Sequence, residues 1–344
     1  MITEYTIAQA EIWDGIVRSF DNYDVFYLSG YAKAFMQESA KNGEPRLAFY
    51  ENGGERAINV FFRRDIAEDG KLKGKIEKGY YYDIITPYGY GGFWGNVSDW
   101  KQLNEEYADY CLSNHYVCEF VRFELFSDYY YNYSGEIETR THNVVRSLEI
   151  PLDTMWMDFK QKVRKNVKKA NSYGLGIITE NSTEHLYDFL RIYYSTMTRS
   201  KAAEEFYFSK KFFETIAEMK DNIMFFHVVY EDKIVSTELV IFGAENCYSY
   251  LGGTDRDYFD LRPNDFLKYE IIKWAQEKGL KNFVLGGGYG SDDGIFQYKL
   301  CLAPHGLYSF YIGRKVFDPC SYDMLVNIRK GDLLNEKFFP LYRS

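Results

Sequence analysis

The sequence predicts an α+β, or mixed α/β, fold in which one structural unit occurs twice. The tetrapeptide Phe26-Tyr27-Leu28-Ser29 returns 180 positions later as Phe206-Tyr207-Phe208-Ser209. At the same offset, Tyr50-Glu51 returns as Tyr230-Glu231 within a second apolar, hairpin-like segment. Each copy therefore carries a helix start and a pair of strands at the same spacing. Helices segregated from a mostly antiparallel sheet are typical of the α+β class.

Each copy begins with a predicted helix that follows the serine of the repeated tetrapeptide. Serine is a favoured N-cap residue, so Ser29 and Ser209 are expected to cap helices over residues 30–41 and 210–220. A hairpin is predicted after each helix, because two apolar runs flank a short turn that contains glycine or aspartate. The predicted strands cover residues 47–50 and 57–62 in the first copy, and residues 224–230 and 234–242 in the second.

The later part of each copy predicts a helix that leads into a further strand. The predicted helices span residues 99–114 and 264–278, and the strands that follow them span residues 117–126 and 281–285. The offset is shorter here by about 19 residues, which places an insertion in the charged loop 65–78 of the first copy. An extended segment at residues 144–151 is expected to begin the second sheet. The predicted domains are residues 1–146 and 147–344, with the second as the donor-binding and catalytic half.

The composition is that of a globular protein and predicts neither a membrane span nor a metal site. Hydrophobic residues make up 46% and charged residues 26% of the 344 positions, and the apolar runs are only strand-length. The N-terminus lacks the features of a signal peptide, so a cytoplasmic location is expected. The five cysteines are scattered without a CxxC pair and the five histidines are dispersed, which predicts no disulfide framework and no metal ligands. A net charge of -9 argues against general nucleic-acid binding but allows one basic patch.

Two segments of the second copy could hold a ligand against the backbone. The run Arg262-Pro263-Asn264-Asp265 precedes an apolar helical pattern, so Asn264 or Asp265 can cap a helix whose first amides bind an anion. An ordinary capped helix fits the same run. The strand end Gly286-Gly287-Gly288 would let a ligand approach the backbone closely, although a flexible loop explains it equally well. The glycine spacing matches neither a dinucleotide fingerprint nor a P-loop.

Charged and aromatic residues mark three further segments. Lys299 closes the aromatic stretch Phe296-Gln297-Tyr298 and is either solvated or functional. The basic segment 160–169 on this acidic chain is either a solvated helix surface or a contact for a polyanion such as tRNA. The aromatic and glycine-rich loop at residues 87–93 either lines a pocket or packs inside the protein.

Taken in order, these segments resemble the Fem-type (FemAB/FemX-like) peptidyltransferases and their relatives, which are built from two GNAT-like acyltransferase domains. The resemblance covers nearly the whole chain and is most specific over residues 145–300. It implies two tandem GNAT-like domains, each a mostly antiparallel sheet flanked by helices. The segments that carry it are residues 87–92, 164–170, 196–199 with 206–207, 262–264, and 286–288 with 296–299.

The resemblance implies transfer of an aminoacyl group from aminoacyl-tRNA to an amine of a peptidoglycan or other cell-envelope precursor, either UDP-linked or lipid-linked. It places Tyr298 and Lys299 at the reacting centre, where the lysine would stabilise an oxyanion. The residues that it assigns to substrate contacts are Arg199, Tyr207, Tyr250, Tyr88, Gly91 and Gly92. The residues that it assigns to the donor or its phosphates are Arg262, Asn264, Gly287 and Arg164.

Two other functions stay open. One is an acyl-CoA-dependent N-acyltransferase that acts on an amino sugar of a capsule or surface polysaccharide. The other is a non-catalytic tandem GNAT protein that only binds its ligand. In the enzymatic cases no tightly bound cofactor is expected, since aminoacyl-tRNA or acyl-CoA would serve as the donor co-substrate. A lipid-linked acceptor would suit peripheral association with a membrane, and the sequence gives no oligomeric state.

Overall fold

The chain divides into two compact units. The computed structural model describes residues 1–39, 42–288, 293–329, 332, 335 and 337–344. Unit 1 comprises residues 1–20, 26–140 and 310–344, and unit 2 comprises residues 21–25 and 141–309. Tyr289 and Gly290, the end of the predicted glycine-rich run, lie outside the described residues.

Helices and strands are mixed along the chain. The elements up to residue 147 are β1 (Ile2–Thr6), α1 (Ala10–Arg18), α2 (Ser29–Glu38), β2 (Glu44–Asn52), β3 (Glu55–Asp65), β4 (Tyr82–Ile85), β5 (Trp94–Asn96), α3 (Trp100–Ser113), β6 (Tyr116–Arg122), α4 (Tyr129–Asn132) and β7 (Glu136–Ser147). The elements after it are α5 (Leu152–Asp158), α6 (Gln161–Ser172), β8 (Gly176–Glu180), α7 (Leu186–Ser200), α8 (Lys210–Ala217), β9 (Ile223–Tyr230), β10 (Lys233–Phe242), β11 (Asn246–Thr254), α9 (Pro263–Glu277), β12 (Asn282–Gly286), α10 (Gly294–Leu302), β13 (Leu307–Val316) and α11 (Pro319–Ile328).

The two units share one strand order. In unit 1 the strands pair in the order β1-β2-β3-β4-β6, and in unit 2 they pair in the order β8-β9-β10-β11-β12. All of these neighbours are antiparallel except β4 with β6 and β11 with β12, which are parallel. A parallel pair needs a crossover, and α3 and α9 provide it in their respective units. The predicted repeat and the α+β class are confirmed.

The boundaries of the units correct the predicted domains. The prediction assigned residues 147–344 to the second domain, whereas residues 310–344 pack with unit 1. The reason is the last strand: the end of β13 pairs antiparallel with β6, with Ile312 opposite Arg122. The C-terminal Arg343 also forms an ion pair with the buried carboxylate of Asp83. Conversely, the end of β7 pairs with β12 and belongs to unit 2. This agrees with the expectation that the extended segment 144–151 begins the second sheet.

The helix starts of the two copies differ in their caps. Ser209 caps α8 as predicted, because its hydroxyl accepts a hydrogen bond from the amide of Phe212 at 3.2 Å. In the first copy the N-cap is Leu28, and Ser29 is already the first residue of α2. The predicted cap at Ser29 is therefore wrong. Helix α2 ends at Glu38, and Lys41 lies outside the described residues.

Each unit has its own apolar core. The core of unit 1 is rich in aromatic side chains, among them Phe93 and Tyr107, whose rings meet edge-to-face at 4.9 Å. In unit 2 the buried face of α9, with Leu267, Ile271 and Ala275, packs against the sheet. This burial fixes where the first turn of α9 points. No helix in the described ranges is long and apolar enough to cross a membrane.

Replacement of Gly306 by Ala is expected to destabilise unit 2, because a Cβ there would lie 1.8 Å from the carbonyl oxygen of Val145. The conflict with backbone is expected to lower the free energy of unfolding by about 1–3 kcal/mol in urea titrations followed by circular dichroism. Gly176→Ala is the matched control, since its Cβ would meet nothing within 4 Å. That variant is expected to be neutral or stabilised by up to about 1 kcal/mol. Equal losses in both variants would contradict this packing.

Candidate active site

A pocket of about 340 Å³ lies in unit 2 at the start of α9. Three elements build it: the last turns of α7, the end of β11, and the turn that leads into α9. The pocket brings together Arg199, Arg262 and Asn264, three of the residues that the sequence predicts for the site. Its other lining residues are Thr196, Gly253, Thr254, Phe259, Pro263 and Asp265.

The first turn of α9 has an unusual cap. The N-cap is Arg262, which has left-handed backbone angles (φ 62°, ψ 39°), and Pro263 is the first helical residue. The predicted caps Asn264 and Asp265 lie inside the helix, so that part of the prediction is wrong. No side chain of the described chain caps this helix start. Pro263 itself has no N–H to offer. The amides that follow it are not used by a side-chain cap, so they can bind an anion at the positive end of the helix.

Arg199 brings a second guanidinium to the pocket from the last turn of α7. Its guanidinium lies 5.0 Å from the ring centroid of Phe259 and donates to the hydroxyl of Thr196 at 3.2 Å. Helix α7 packs closely on β11 at Gly253, where an added Cβ would lie 2.2 Å from the Thr196 hydroxyl oxygen. Two arginines and a helix start therefore line one pocket, an arrangement suited to phosphate groups.

Asp265 is the acidic residue of the pocket. Burial raises its pKa to about 6, although the hydrogen bond from Asn166 opposes this shift. The Asn166 amide donates to the Asp265 carboxylate at 3.0 Å, which ties the basic helix α6 to the pocket.

A buried ion pair lies beside the place where β11 and β12 separate. Among the described residues, these two strands pair only over Asn246–Tyr248 of β11 and Asn282–Val284 of β12. At the next position of β11, the hydroxyl of Ser249 accepts a hydrogen bond from the ammonium of Lys268 at 2.6 Å. The same ammonium donates to the Glu238 carboxylate at 2.6 Å, and both charged side chains are buried.

Lys299 lies on α10 with its ammonium directed to the glycine-rich end of β12. The Nζ atom donates to the carbonyl oxygen of Gly287 at 2.6 Å. Gly286 has a left-handed φ of 82°, and an added Cβ there would lie 3.3 Å from the Lys299 Nζ. The glycines thus permit this approach. Burial, followed by the charge of Lys268, lowers the pKa of Lys299 to about 8.

Tyr298 precedes Lys299 on the same helix, and its hydroxyl has no hydrogen-bond partner among the described residues. Burial raises the pKa of this phenol well above its usual value, and the charges of Asp265 and Glu238 add to the effect. The hydroxyl is therefore a neutral donor within electrostatic reach of both the pocket and the ion pair. A buried hydroxyl without a hydrogen-bond partner lowers the stability of the fold unless a ligand supplies that partner.

The remaining predicted residues of unit 2 lie outside the lining of this pocket. Tyr250 occupies a β-bulge of β11, because the pairing with β10 moves from Leu251 to Ser249 and skips it. Tyr207 follows a 3₁₀ turn and is exposed. Arg164 donates to the carbonyl oxygen of Met157 at 2.9 Å, so it links α6 to α5.

The predicted residues of unit 1 have packing roles within that unit. The carbonyl oxygen of Tyr88 accepts a hydrogen bond from Tyr31 at 2.6 Å. Gly91 exchanges backbone hydrogen bonds with the segment at Arg122–Glu124. Gly92 has a φ of 87°, and its carbonyl oxygen accepts from the Tyr27 hydroxyl at 2.9 Å.

Sequence reasoning missed Glu238 and Lys268. Glu238 interrupts the apolar run Ile234–Phe242, and Lys268 interrupts the apolar face of α9. A charge inside an apolar run is the signal that could have found them, since buried charges are normally paired.

Comparisons with known proteins define the class. Residues 157–300 match the family described as Acetyltransferase (GNAT) domain, a range that contains the pocket, the ion pair and Lys299. The part of unit 2 that holds these residues is therefore similar to GNAT acyltransferase domains.

The particular relatives are of the Fem type. Over 82 residues the chain is 28% identical to the lipid II:glycine glycyltransferase of Staphylococcus haemolyticus. That alignment covers 24% of this chain and spans about a fifth (20%) of the length of that relative.

Three solved structures are similar in fold to this chain over most of its length. FemX has a TM-score of 0.68 with 14% identity, covering 94% of this chain and 99% of its own. A conserved protein of unknown function from Bacteroides thetaiotaomicron has a TM-score of 0.59 with 10% identity, covering 91% and 98%. L-PGS from Bacillus licheniformis has a TM-score of 0.53 with 14% identity, covering 87% and 95%. The predicted tandem GNAT-like fold and the resemblance to Fem-type proteins are confirmed.

Replacement of Lys268 by Met is expected to leave the Glu238 carboxylate buried without its partner. An unpaired buried charge typically costs about 3–5 kcal/mol, which should appear as a lower free energy of unfolding in urea titrations. Lys273→Met on the same helix is the control, because its pair with Glu270 is partly exposed and worth less than about 1 kcal/mol. The double variant Glu238→Leu/Lys268→Met should recover most of the loss. A loss no larger than that of the control would show that the pair is not buried.

Proposed function

We propose that the chain transfers an aminoacyl group from aminoacyl-tRNA to an amine of a peptidoglycan or other cell-envelope precursor. The observation that carries the proposal is the partly buried ammonium of Lys299, held by the Gly287 carbonyl group in the same unit as a pocket suited to phosphate. The GNAT domain match and the Fem-type fold support acyl transfer. The similarity to a lipid II:glycine glycyltransferase supports lipid II, or a related precursor, as the acceptor class.

The chemistry is an attack of the acceptor amine on the ester carbonyl carbon of the donor. A C–N bond forms, and the tetrahedral intermediate carries an oxyanion that the Lys299 ammonium stabilises through a short hydrogen bond. When the intermediate collapses, the ester C–O bond breaks and the ribose oxygen of the tRNA leaves. The proton that the amine loses passes to that oxygen. Tyr298 would relay this proton: the phenol gives its own proton to the leaving oxygen and takes up the proton that the amine loses, so it ends neutral, as its raised pKa favours.

Helix α6 is the proposed contact for the tRNA backbone. In the described part of the chain, none of its exposed lysines forms an ion pair with a carboxylate, so each is available to a phosphate group. Asn166 of the same helix bonds to Asp265 at the pocket, which places the basic surface next to the proposed donor site. The lysines of this basic surface are Lys160, Lys162, Lys165, Lys168 and Lys169.

The remaining predicted residues of unit 2 keep their proposed roles. Arg262, Asn264, Gly287 and Arg164 would contact the donor. The guanidinium of Arg199 suits the diphosphate of a UDP-linked or lipid-linked acceptor, since its fork can bind two oxygens at once. The proposed further contacts to the acceptor within unit 2 are Tyr207 and Tyr250.

A second candidate function rests on the first turn of α9. Arg262 and the backbone amides of this turn, which no described side chain caps, could equally hold the pyrophosphate of an acyl-CoA. The acceptor would then be an amino sugar of a surface polysaccharide. Calorimetry with CoA distinguishes the two donors. Millimolar CoA that fails to bind removes the alternative, whereas CoA binding that Arg262→Ala abolishes supports it.

Lys299→Ala is expected to reduce the transfer rate by about 10²–10³-fold, because it removes the cation that faces the oxyanion. The assay follows labelled amino acids from a panel of charged tRNAs onto UDP-MurNAc-pentapeptide and onto a lipid-linked acceptor. Lys281→Ala is the control, since this exposed lysine pairs with Glu245 elsewhere in unit 2. Activity that survives Lys299→Ala would refute the proposed site, and no transfer from any charged tRNA would refute the donor.

Replacing Lys165, Lys168 and Lys169 together by Gln is expected to weaken tRNA binding at least ten-fold at moderate salt. The dependence of the binding constant on salt should also become shallower, by about 0.7–0.9 in logarithmic slope for each lost phosphate contact. The matched control replaces Lys210, Lys211 and Lys220, near α8, by Gln. Fluorescence anisotropy with labelled tRNA measures both variants. An equal effect in both would mean that the interaction is unspecific.

A further inference from the structure

Three side chains with metal-binding atoms meet in unit 2 near the start of α7. Glu180 ends β8, His185 immediately precedes α7, and His227 lies within β9. One ligand atom from each lies within 4.8 Å of the other two. The pairing of β8 with β9, which sets Ile178 opposite His227, brings these distant positions together. The spacing of the histidines along the chain gave no sign of this cluster.

The separations of the ligand atoms suit a small divalent ion. The Glu180 carboxylate lies 2.9 Å from His185 Nδ1 through one oxygen and 3.5 Å from His227 Nε2 through the other. Ligands bound at about 2.0–2.2 Å in a tetrahedron are separated by roughly 3.3–3.6 Å. Small movements of the partly exposed His185 would therefore complete a three-ligand set.

His227 gives the strongest indication of a ligand. Its side chain is fully buried, and its Nδ1 atom lies 2.8 Å from the hydroxyl of Thr237, which fixes the orientation of the ring. The other ring nitrogen, Nε2, lies 3.5 Å from the Glu180 carboxylate, which is too long for a strong hydrogen bond, and no other described residue bonds to it. A buried polar atom without a partner is costly, and coordination would satisfy it. A hydrogen bond to the second ring nitrogen is the usual support of a metal-binding histidine.

The site has access to solvent through His185. This residue lines a cavity of about 410 Å³ together with Asp188, Arg191 and Asp255. Arg191 is held by both of these carboxylates, at 3.2 Å each, so its charge is compensated. The cavity leaves room for a water molecule or an exogenous ligand in the fourth coordination position.

We propose that Glu180, His185 and His227 bind a divalent transition metal of the zinc type, with one position open to the cavity. Two imidazole nitrogens and one carboxylate are the donor set that Zn²⁺ and its neighbours prefer, whereas Mg²⁺ and Ca²⁺ prefer oxygen ligands. The proposal is independent of the transfer reaction proposed above.

The test uses tag-free, chelator-treated full-length protein titrated with Co²⁺ and with Zn²⁺. The expected results are one Co²⁺ per chain with the visible absorption of a tetrahedral site, competition by Zn²⁺, and no binding of Mg²⁺. His185→Gln and Glu180→Gln should each weaken the affinity at least ten-fold, a loss that even supporting residues of metal sites produce. The control His305→Gln changes an exposed histidine and should bind normally.

Two results would overturn the proposal. The first is Co²⁺ or Zn²⁺ binding that stays well below one ion per chain at tenth-millimolar metal. The second is undiminished binding in the His185 and Glu180 variants. Because both of these residues are partly exposed, their variants decide the question even where His227→Gln fails to fold.

Discussion

The ion pair between Glu238 and Lys268 connects the parts of unit 2 on which the proposed site depends. From α9, Lys268 reaches a carboxylate on β10 and the Ser249 hydroxyl on β11. Its ammonium also lies 5.8 Å from the ring centroid of Phe283 on β12. These contacts fix α9 where β11 and β12 separate, and so set the direction of its first turn. The same charge adds to burial in lowering the pKa of Lys299.

The two copies of the repeat differ at the corresponding helix start. Helix α3 of unit 1 is capped by Asp99, whose carboxylate accepts a hydrogen bond from the amide of Gln102 at 2.9 Å. A carboxylate there already occupies the position that an anion would take. Helix α9 has Arg262 at the same place and no side-chain cap within the described chain. The difference explains, in physical terms, why the proposed anion pocket belongs to the second copy.

Local patterns in the sequence predicted much of the fold and part of the site. Apolar alternation and turn residues located the hairpins β2–β3 and β9–β10, and the glycines 286–288 indicated a close approach that Lys299 makes. Contacts between distant residues could not be predicted this way. The Glu238–Lys268 pair, the bulge at Tyr250, and the pairing of β13 with β6 all depend on strand register, which a single sequence does not display. The cluster at His227 was missed for the same reason.

The most direct test of the proposed site is the pKa of Lys299 in the folded protein. Nuclear magnetic resonance of protein with ¹³C-labelled lysine, titrated with pH, measures it, and a Lys299→Arg variant assigns the signal. The buried site beside Lys268 predicts a pKa of about 8, so the ammonium is largely retained at neutral pH and lost as the pH rises through that value. A pKa near 10.5, the ordinary value for lysine, would contradict the account, because it would place the ammonium in water instead of in the partly buried site that we propose.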